Sequence, residues 1–153
     1  MRMITSLAAI ALALSACSSR ASDTAVTPSS AAEPARHPVS GLPVIPLTVT
    51  HAGKSHAFRV ELAQTGEEQG KGLMFRTEMG ADEGMIFPMD PPRDASFWMK
   101  NTVISLDIIF IGPDRRILNI AAGTVPYSEA PVRSEGATSA VLELNAGRAA
   151  QLG

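Results

Sequence analysis

Cysteine, aromatic residues and long apolar runs are all scarce in this chain, and each scarcity excludes something. Of 153 residues one is a cysteine, Cys17, so a domain beyond it has no disulfide, thiol nucleophile or cysteine-held metal. Trp98 and Tyr127 are single members of their kinds. No apolar stretch approaches the ~20 residues that a bilayer-spanning helix needs. The most apolar one, Ile4 to Leu14, has the length of a signal-peptide core. Lysine and arginine total 13 against 15 acidic residues, and a net charge of -2 without a basic cluster argues against nucleic acid as a partner. There is no Gly-x-Ser-x-Gly elbow and no His-Glu-x-x-His, which removes the commonest hydrolase and metalloprotease signatures.

Met1 and Arg2 precede the apolar core, which ends in Leu14-Ser15-Ala16-Cys17. That ending resembles the lipobox of bacterial lipoprotein signals. It implies removal of residues 1–16 and lipidation of Cys17 as the mature N-terminus; the plainer alternative is an ordinary signal peptide with a leftover thiol. One acyl chain holds a protein only marginally, at ~0.8 kcal/mol per buried methylene, so the several chains implied make the attachment stable. Residues 17–41 are then a lipidated cysteine and a tether. Their Ser, Ala, Thr and Pro content cannot repay ordering entropy, and a flexible coil of that length reaches about 25 Å. His37 is expected to be solvated within it. The membrane is thus a partner through Cys17, the protein is expected in the cell envelope facing the periplasm, and Ser18 resembles the sorting pattern of outer-membrane rather than inner-membrane lipoproteins.

Residues 42–153 form the expected single domain. Leu47 and Val49 alternate with Thr48 and Thr50, a turn at Gly53 follows, and Phe58, Val60 and Leu62 alternate with Arg59 and Glu61, which predicts a hairpin. His51 and His56 flank its turn; without a third ligand they read as solvated. Thr65-Gly66-Glu67-Glu68 matches a capping box, opening a helix to about Phe75 that Gly70 and Gly72 weaken. Gly84 to Met89 reads as a strand, Asp90-Pro91-Pro92-Arg93-Asp94 as a rigid turn, Arg116 to Ala121 as a strand, and Ser139 to Asn145 as a strand with Ala140, Leu142 and Leu144 opposite Val141 and Glu143. About seven short strands with one or two short helices predict a mainly β fold of the α+β kind, an antiparallel β-sandwich or open barrel.

The densest strand-forming run is Ser96 to Phe110. Centring a hairpin turn on Thr102 to Ser105 pairs Asn101 with Leu106 and sets Lys100 against Asp107, with Phe97, Met99, Ile108 and Phe110 on one buried face. Trp98, Lys100 and Asp107 then share the other face. Together with Arg76 they are the candidate lining of one polar-rimmed pocket, and Glu143 is a further charge beside apolar neighbours. A lysine beside an indole and a carboxylate suits an anionic or carbonyl group; it equally makes a cross-strand ion pair that fixes register. Five of the seven methionines fall between positions 74 and 99, and thioethers suit Cu(I), so Met74, Met85 and Met99 are candidate copper ligands, although methionine also fills irregular cores.

Four segments, G-L-M-F-R at 72–76, G-M-I-F at 84–87, F-W-M-K-N-T at 97–102 with L-D-I-I-F at 106–110, and V-L-E-L-N-A-G at 141–147, are together similar to the prokaryotic family termed domain of unknown function 192. The resemblance implies a small β-rich domain, often exported, with no catalytic residues to transfer. Ser105 stands where the family usually has proline. The chain stops at Gly153 where the family continues into a Gly-Asp turn and a further strand, and losing that strand would leave an edge unpaired. The functional expectation is a non-enzymatic envelope module that binds a small or peptide-like ligand, or another envelope component, through the face around Trp98, with no cofactor. A Cu(I)-binding protein and an enzyme using Lys100 and Asp107 are the competing classes.

Overall fold

The computed structural model describes residues 34–153. The expected signal peptide, Cys17 and most of the expected tether lie outside the described residues. Within them, no helix is long and apolar enough to cross a membrane.

The described residues are mainly β, with eight strands and two short helices. Strands β1 (Val44–His51) and β2 (Lys54–Leu62) form the hairpin that alternation predicts, in antiparallel register from Val44 opposite Glu61 to His51 opposite Lys54. Helix α1 (Gly66–Lys71) carries the capping box: the Glu68 backbone N–H donates to the Thr65 hydroxyl, and the Glu68 carboxylate accepts from the backbone N–H groups of Thr65 and Gln64. Those backbone donors, Thr65 first, hold the Glu68 carboxyl below the usual range. The helix stops at Lys71, short of the expected Phe75. Its cap, Gly72, has φ 47° and ψ -134°, a conformation side chains other than glycine's strain to adopt, with the Phe87 ring 3.5 Å from where a Cβ would stand.

The excursion from α1 through a loop brings β3 (Glu83–Arg93) back beside β2 in parallel, Arg59 opposite Glu83 and Leu62 opposite Ile86. Twenty residues separate the two strands, enough for a parallel crossover. The remaining strands are β4 (Ser96–Phe97), β5 (Leu106–Ile111), β6 (Ile117–Ala121), β7 (Val132–Arg133) and β8 (Thr138–Asn145), followed by helix α2 (Arg148–Leu152). Six strands make one open mixed sheet in the order β1-β2-β3-β8-β5-β6, and β4 pairs β7 in a small second sheet. The sheet does not close into a barrel, and apart from one parallel pair its ladders are antiparallel, as a mainly antiparallel fold requires. In β3 the register shifts between Pro88 and Arg93, so Pro91 and Pro92 sit in an irregularity where their missing N–H groups leave no ladder bond unmade.

The expected hairpin between Phe97 and Phe110 does not form. Residues 96–97 pair with 132–133 instead, and β5 has β8 on one side and β6 on the other. Leu106 to Phe110 is buried on both faces, as a central strand must be. A strand with distant β8 on one side and adjacent β6 on the other has no edge left for Phe97 to Asn101. Trp98 to Asn101 form a loop in which the Met99 N–H donates to the Ser128 carbonyl and the Thr102 N–H donates to the Met99 carbonyl.

Each sheet face buries its own core. Phe58, Val60, Ile86, Ile109, Leu142 and Leu144 face α2, with Ala149 and Leu152 of that helix packed on them. Met85, Phe87, Ile108, Phe110 and Val141 face the other way, under Leu73, Ala95 and Met99 from the overlying loops. The alternation read in β8 therefore holds, and it places Glu143 among apolar residues on the loop-covered face.

Candidate functional site

One cross-strand row organises the loop-covered face. Glu61 of β2 is opposite Met85 of β3, Met85 is opposite Glu143 of β8, and Glu143 is opposite Ile108 of β5. Two glutamates therefore lie buried on one apolar surface, one strand apart on either side of a methionine. Burying an ionised carboxylate is costly unless it is paired. Glu61 is paired. Arg76 Nη1 lies 2.8 Å from Glu61 Oε1 and Arg76 Nη2 donates to Oε2 at 3.0 Å, while the Ser40 hydroxyl also donates to Oε2.

Glu143 is not paired. It is 5% exposed, and among the described residues its carboxyl has no hydrogen bond and no ion pair. Desolvation alone pushes its pKa from 4.5 up to about 8, because burial penalises the charged form. It sits at the base of a cleft of about 370 Å³ whose walls include Phe87, Met89, Phe97, Trp98 and Lys100. Phe97 is wedged edge-on between Phe87 and Phe110, with ring centroids 5.2 and 6.2 Å away. Such edge-to-face packing fixes the aromatic walls.

Trp98 is 47% exposed at the mouth, with the Lys100 ammonium 5.0 Å from its ring centroid. The ion-pair partner of Lys100 is an exposed carboxylate, Glu129, at 4.0 Å, which commits the lysine only weakly. Three backbone positions around this loop have positive φ without being glycine: Phe75, Asn101 and Tyr127. They are tied together, since the Phe75 N–H donates to the Asn101 carbonyl and the Tyr127 N–H to the Thr102 carbonyl. Such conformations persist only where surrounding structure imposes them.

The residues singled out in the sequence divide into three places. Trp98, Lys100 and Glu143 line the cleft. Arg76 is drawn aside to Glu61, where its Nη1 also lies 3.4 Å from His37 Nε2; His37 is therefore partly buried against this ion pair rather than solvated. Asp107 is on the opposite face of the sheet from the cleft, level with Leu144 on the α2 side. Its Oδ1 accepts from the N–H groups of Gly123 and Gly147 and its Oδ2 from that of Ala149, which fastens the start of α2. The Lys100/Asp107 pair is thus corrected: a local hairpin would have joined them, and non-local pairing of β5 separates them.

The methionine candidates separate as well. Met74 lines the cleft, with its sulfur 3.8 Å from the Asn101 amide nitrogen. Met85 and Met99 are wholly buried in the core, and the Met99 sulfur accepts from the Thr124 hydroxyl at 3.1 Å. Among the described residues no group of three or more His, Cys, Asp or Glu side chains could hold a metal ion. His51 is exposed, and His56 is half-buried beside the first hairpin turn with its Nε2 buried and, among the described residues, without a hydrogen-bond partner, rather than solvated. Sequence reasoning missed the Glu61 carboxylate as the partner of Arg76 and the depth of Glu143. Glu143 carried a signal, since it interrupts the apolar run Val141 to Leu144; Glu61 carried none, since it alternates with apolar residues as a solvent-facing position does.

The family model described as DUF192, Uncharacterized ACR, matches residues 47–153. No curated protein matches the chain. A crystal structure of a protein of unknown function from Novosphingobium aromaticivorans DSM 12444 is 62% identical with a TM-score of 0.77, covering 80% of this chain and 87% of that one. A second, from Sinorhizobium meliloti 1021 and provisionally described as a transcription regulator, is 41% identical with a TM-score of 0.66, covering 69% of this chain and 81% of that one.

Proposed function

Starting from a chain that belongs to the DUF192 family, we propose that it is a non-enzymatic binding module whose cleft, between Trp98 and Glu143, receives a small or peptide-like ligand. The single observation that carries this reading is the unpartnered carboxyl of Glu143 at the base of an aromatic-walled cleft. A buried polar group without a partner costs about 1–3 kcal/mol, more if charged, and evolution tolerates such a cost where a ligand completes the set. A cleft of a few hundred Å³ with apolar walls and a few convergent polar groups is the usual form of a small-molecule site. The lipobox-like Leu14-Ser15-Ala16-Cys17 supports placing the module at the cell envelope, tethered to the membrane through a lipidated Cys17 and facing the periplasm.

Direct DNA contact, as the description of the Sinorhizobium protein suggests for that protein, has little support here, given a net charge of -2 and no lysine or arginine cluster. An enzyme is the weaker alternative: burial raises the Glu143 pKa, but Asp107 is locked away beneath α2 and the cross-strand neighbours of Glu143, Met85 and Ile108, supply no second acid or base. A Cu(I) carrier is weaker still, because two of the three candidate sulfurs lie in the core.

The test is a Trp98 fluorescence titration of the full chain with a broad panel of small metabolites and, separately, Cu(I). A saturable shift with an organic compound, lost in Glu143→Ala, supports the binding module. Quenching by Cu(I) alone favours the copper carrier, and silence across the whole panel in a folded protein overturns the cleft as a ligand site.

A further inference from the structure

Resting on the reading of this cleft as a ligand site, we infer that its ligand is a zwitterion of betaine or amino-acid type, its ammonium seated against the Glu143 carboxylate and its anionic end reaching Lys100. Four observations converge on that class. The floor offers one carboxylate and no other charged group: its cross-strand neighbours are Met85 and Ile108, and the charges that face the cleft from other elements, Lys71 at the end of α1, Arg93 at the end of β3 with Asp94 after it, and Lys100 in the following loop, all lie exposed or half-exposed around the mouth. The walls include aromatic and thioether surfaces, Phe87, Phe97, Trp98, Met74 and Met89, which attract a weakly hydrated organic cation. The indole already receives a cation, since the Lys100 ammonium lies 5.0 Å over its ring. Around the mouth, three basic side chains face one acidic one, so an anion at the outer end of the ligand is favoured.

Proton linkage follows from the same arrangement. With Glu143 protonated below a pKa of about 8, a permanently charged ammonium must displace its proton to bind. Affinity for such a ligand should rise about tenfold per pH unit between pH 6 and 8 and level off above.

The experiment is isothermal calorimetry of the full chain with glycine betaine, choline, the carboxylate 3,3-dimethylbutyrate as an isostere lacking the ammonium, and the neutral alcohol 3,3-dimethylbutanol. The inference expects betaine to bind best and choline more weakly, with the carboxylate and the alcohol at least tenfold weaker than betaine. Glu143→Gln should weaken betaine at least tenfold, and Lys100→Gln should weaken betaine severalfold while leaving choline unchanged. If Glu143→Gln does not fold, the pH profile of choline binding to the unaltered protein decides, and a flat profile from pH 6 to 8 overturns the inference. Tighter binding of the carboxylate or the alcohol than of betaine overturns the zwitterion and leaves the cleft standing. Failure of all four, together with silence in the broad metabolite panel, overturns both.

Discussion

Glu61 and Glu143 flank Met85 in one cross-strand row, and only Glu61 has a guanidinium. The same residue type on the same buried surface therefore has two fates. Glu61 and Arg76 close a structural ion pair, whereas the Glu143 carboxyl, among the described residues, has no partner.

The first consequence is a pH dependence of stability. The Glu143 pKa is raised in the folded chain, from 4.5 to about 8, so the folded state holds a proton that the unfolded state releases. Stability from this group is fully present below pH 4.5 and is lost as the pH rises towards 8, by up to about 1.4 kcal/mol per pH unit. Urea unfolding of the wild type should show that decline between pH 5 and 8. Glu143→Gln, uncharged throughout, should flatten it and be the more stable protein at pH 8.

Removing the other half of the contrast should be costly. Arg76→Met leaves Glu61 buried without its cation, and breaking a buried pair in this way costs roughly 3–5 kcal/mol. Adding Glu61→Leu should recover most of that loss, because the uncompensated charge goes with it. Both effects are read as shifts in the urea midpoint.

Asp107 is a fastening for α2 and not a site residue. Asp107→Ala leaves the N–H groups of Gly123, Gly147 and Ala149 without their acceptor and should destabilise the chain by about 3 kcal/mol. At a temperature where the variant is folded, its affinity for cleft ligands in the fluorescence titration should equal that of the wild type. A Lys100/Asp107 partnership would have required the opposite.

Gly84 sets how closely β3 approaches β8 beneath the cleft. A Cβ there would stand 2.5 Å from the backbone oxygen of Glu143, which cannot rotate away as a side chain could. Gly84→Ala should cost about 3 kcal/mol or more through that overlap, and circular dichroism melting should show it. Gly70→Ala, with no atom within 4 Å of its new methyl group, should be neutral or slightly stabilising in the same assay.

What the sequence made legible was mostly local. The first hairpin, the capping box of Thr65 and Glu68, and the alternation of β8 rest on neighbours a few residues apart, and the structure has all three. The pairing of Phe97 to Asn101 with β5 failed because alternation constrains which residues share a face, not which strand lies alongside. The apolar run Ile108 to Ile111 in β5 was the contrary sign, since it marks a central strand covered on both faces. The parallel pairing of β2 with β3 and the small β4/β7 sheet join residues far apart in the chain, and no local pattern announces them. Trp98, Lys100 and Glu143 were each marked from sequence; their meeting in one cleft, and the removal of Arg76 to Glu61 and of Asp107 to α2, follow from that non-local pairing.

The carboxyl group of Glu143 can be followed directly by carbon NMR in the full chain, selectively labelled and titrated with pH, free and saturated with glycine betaine. A midpoint near 8 in the free protein, falling towards the ordinary carboxyl range when the ligand is bound, is the result expected of an unpartnered group awaiting a cation. A midpoint near 4.5 in the free protein would contradict it, because the carboxyl would then already be solvated or paired.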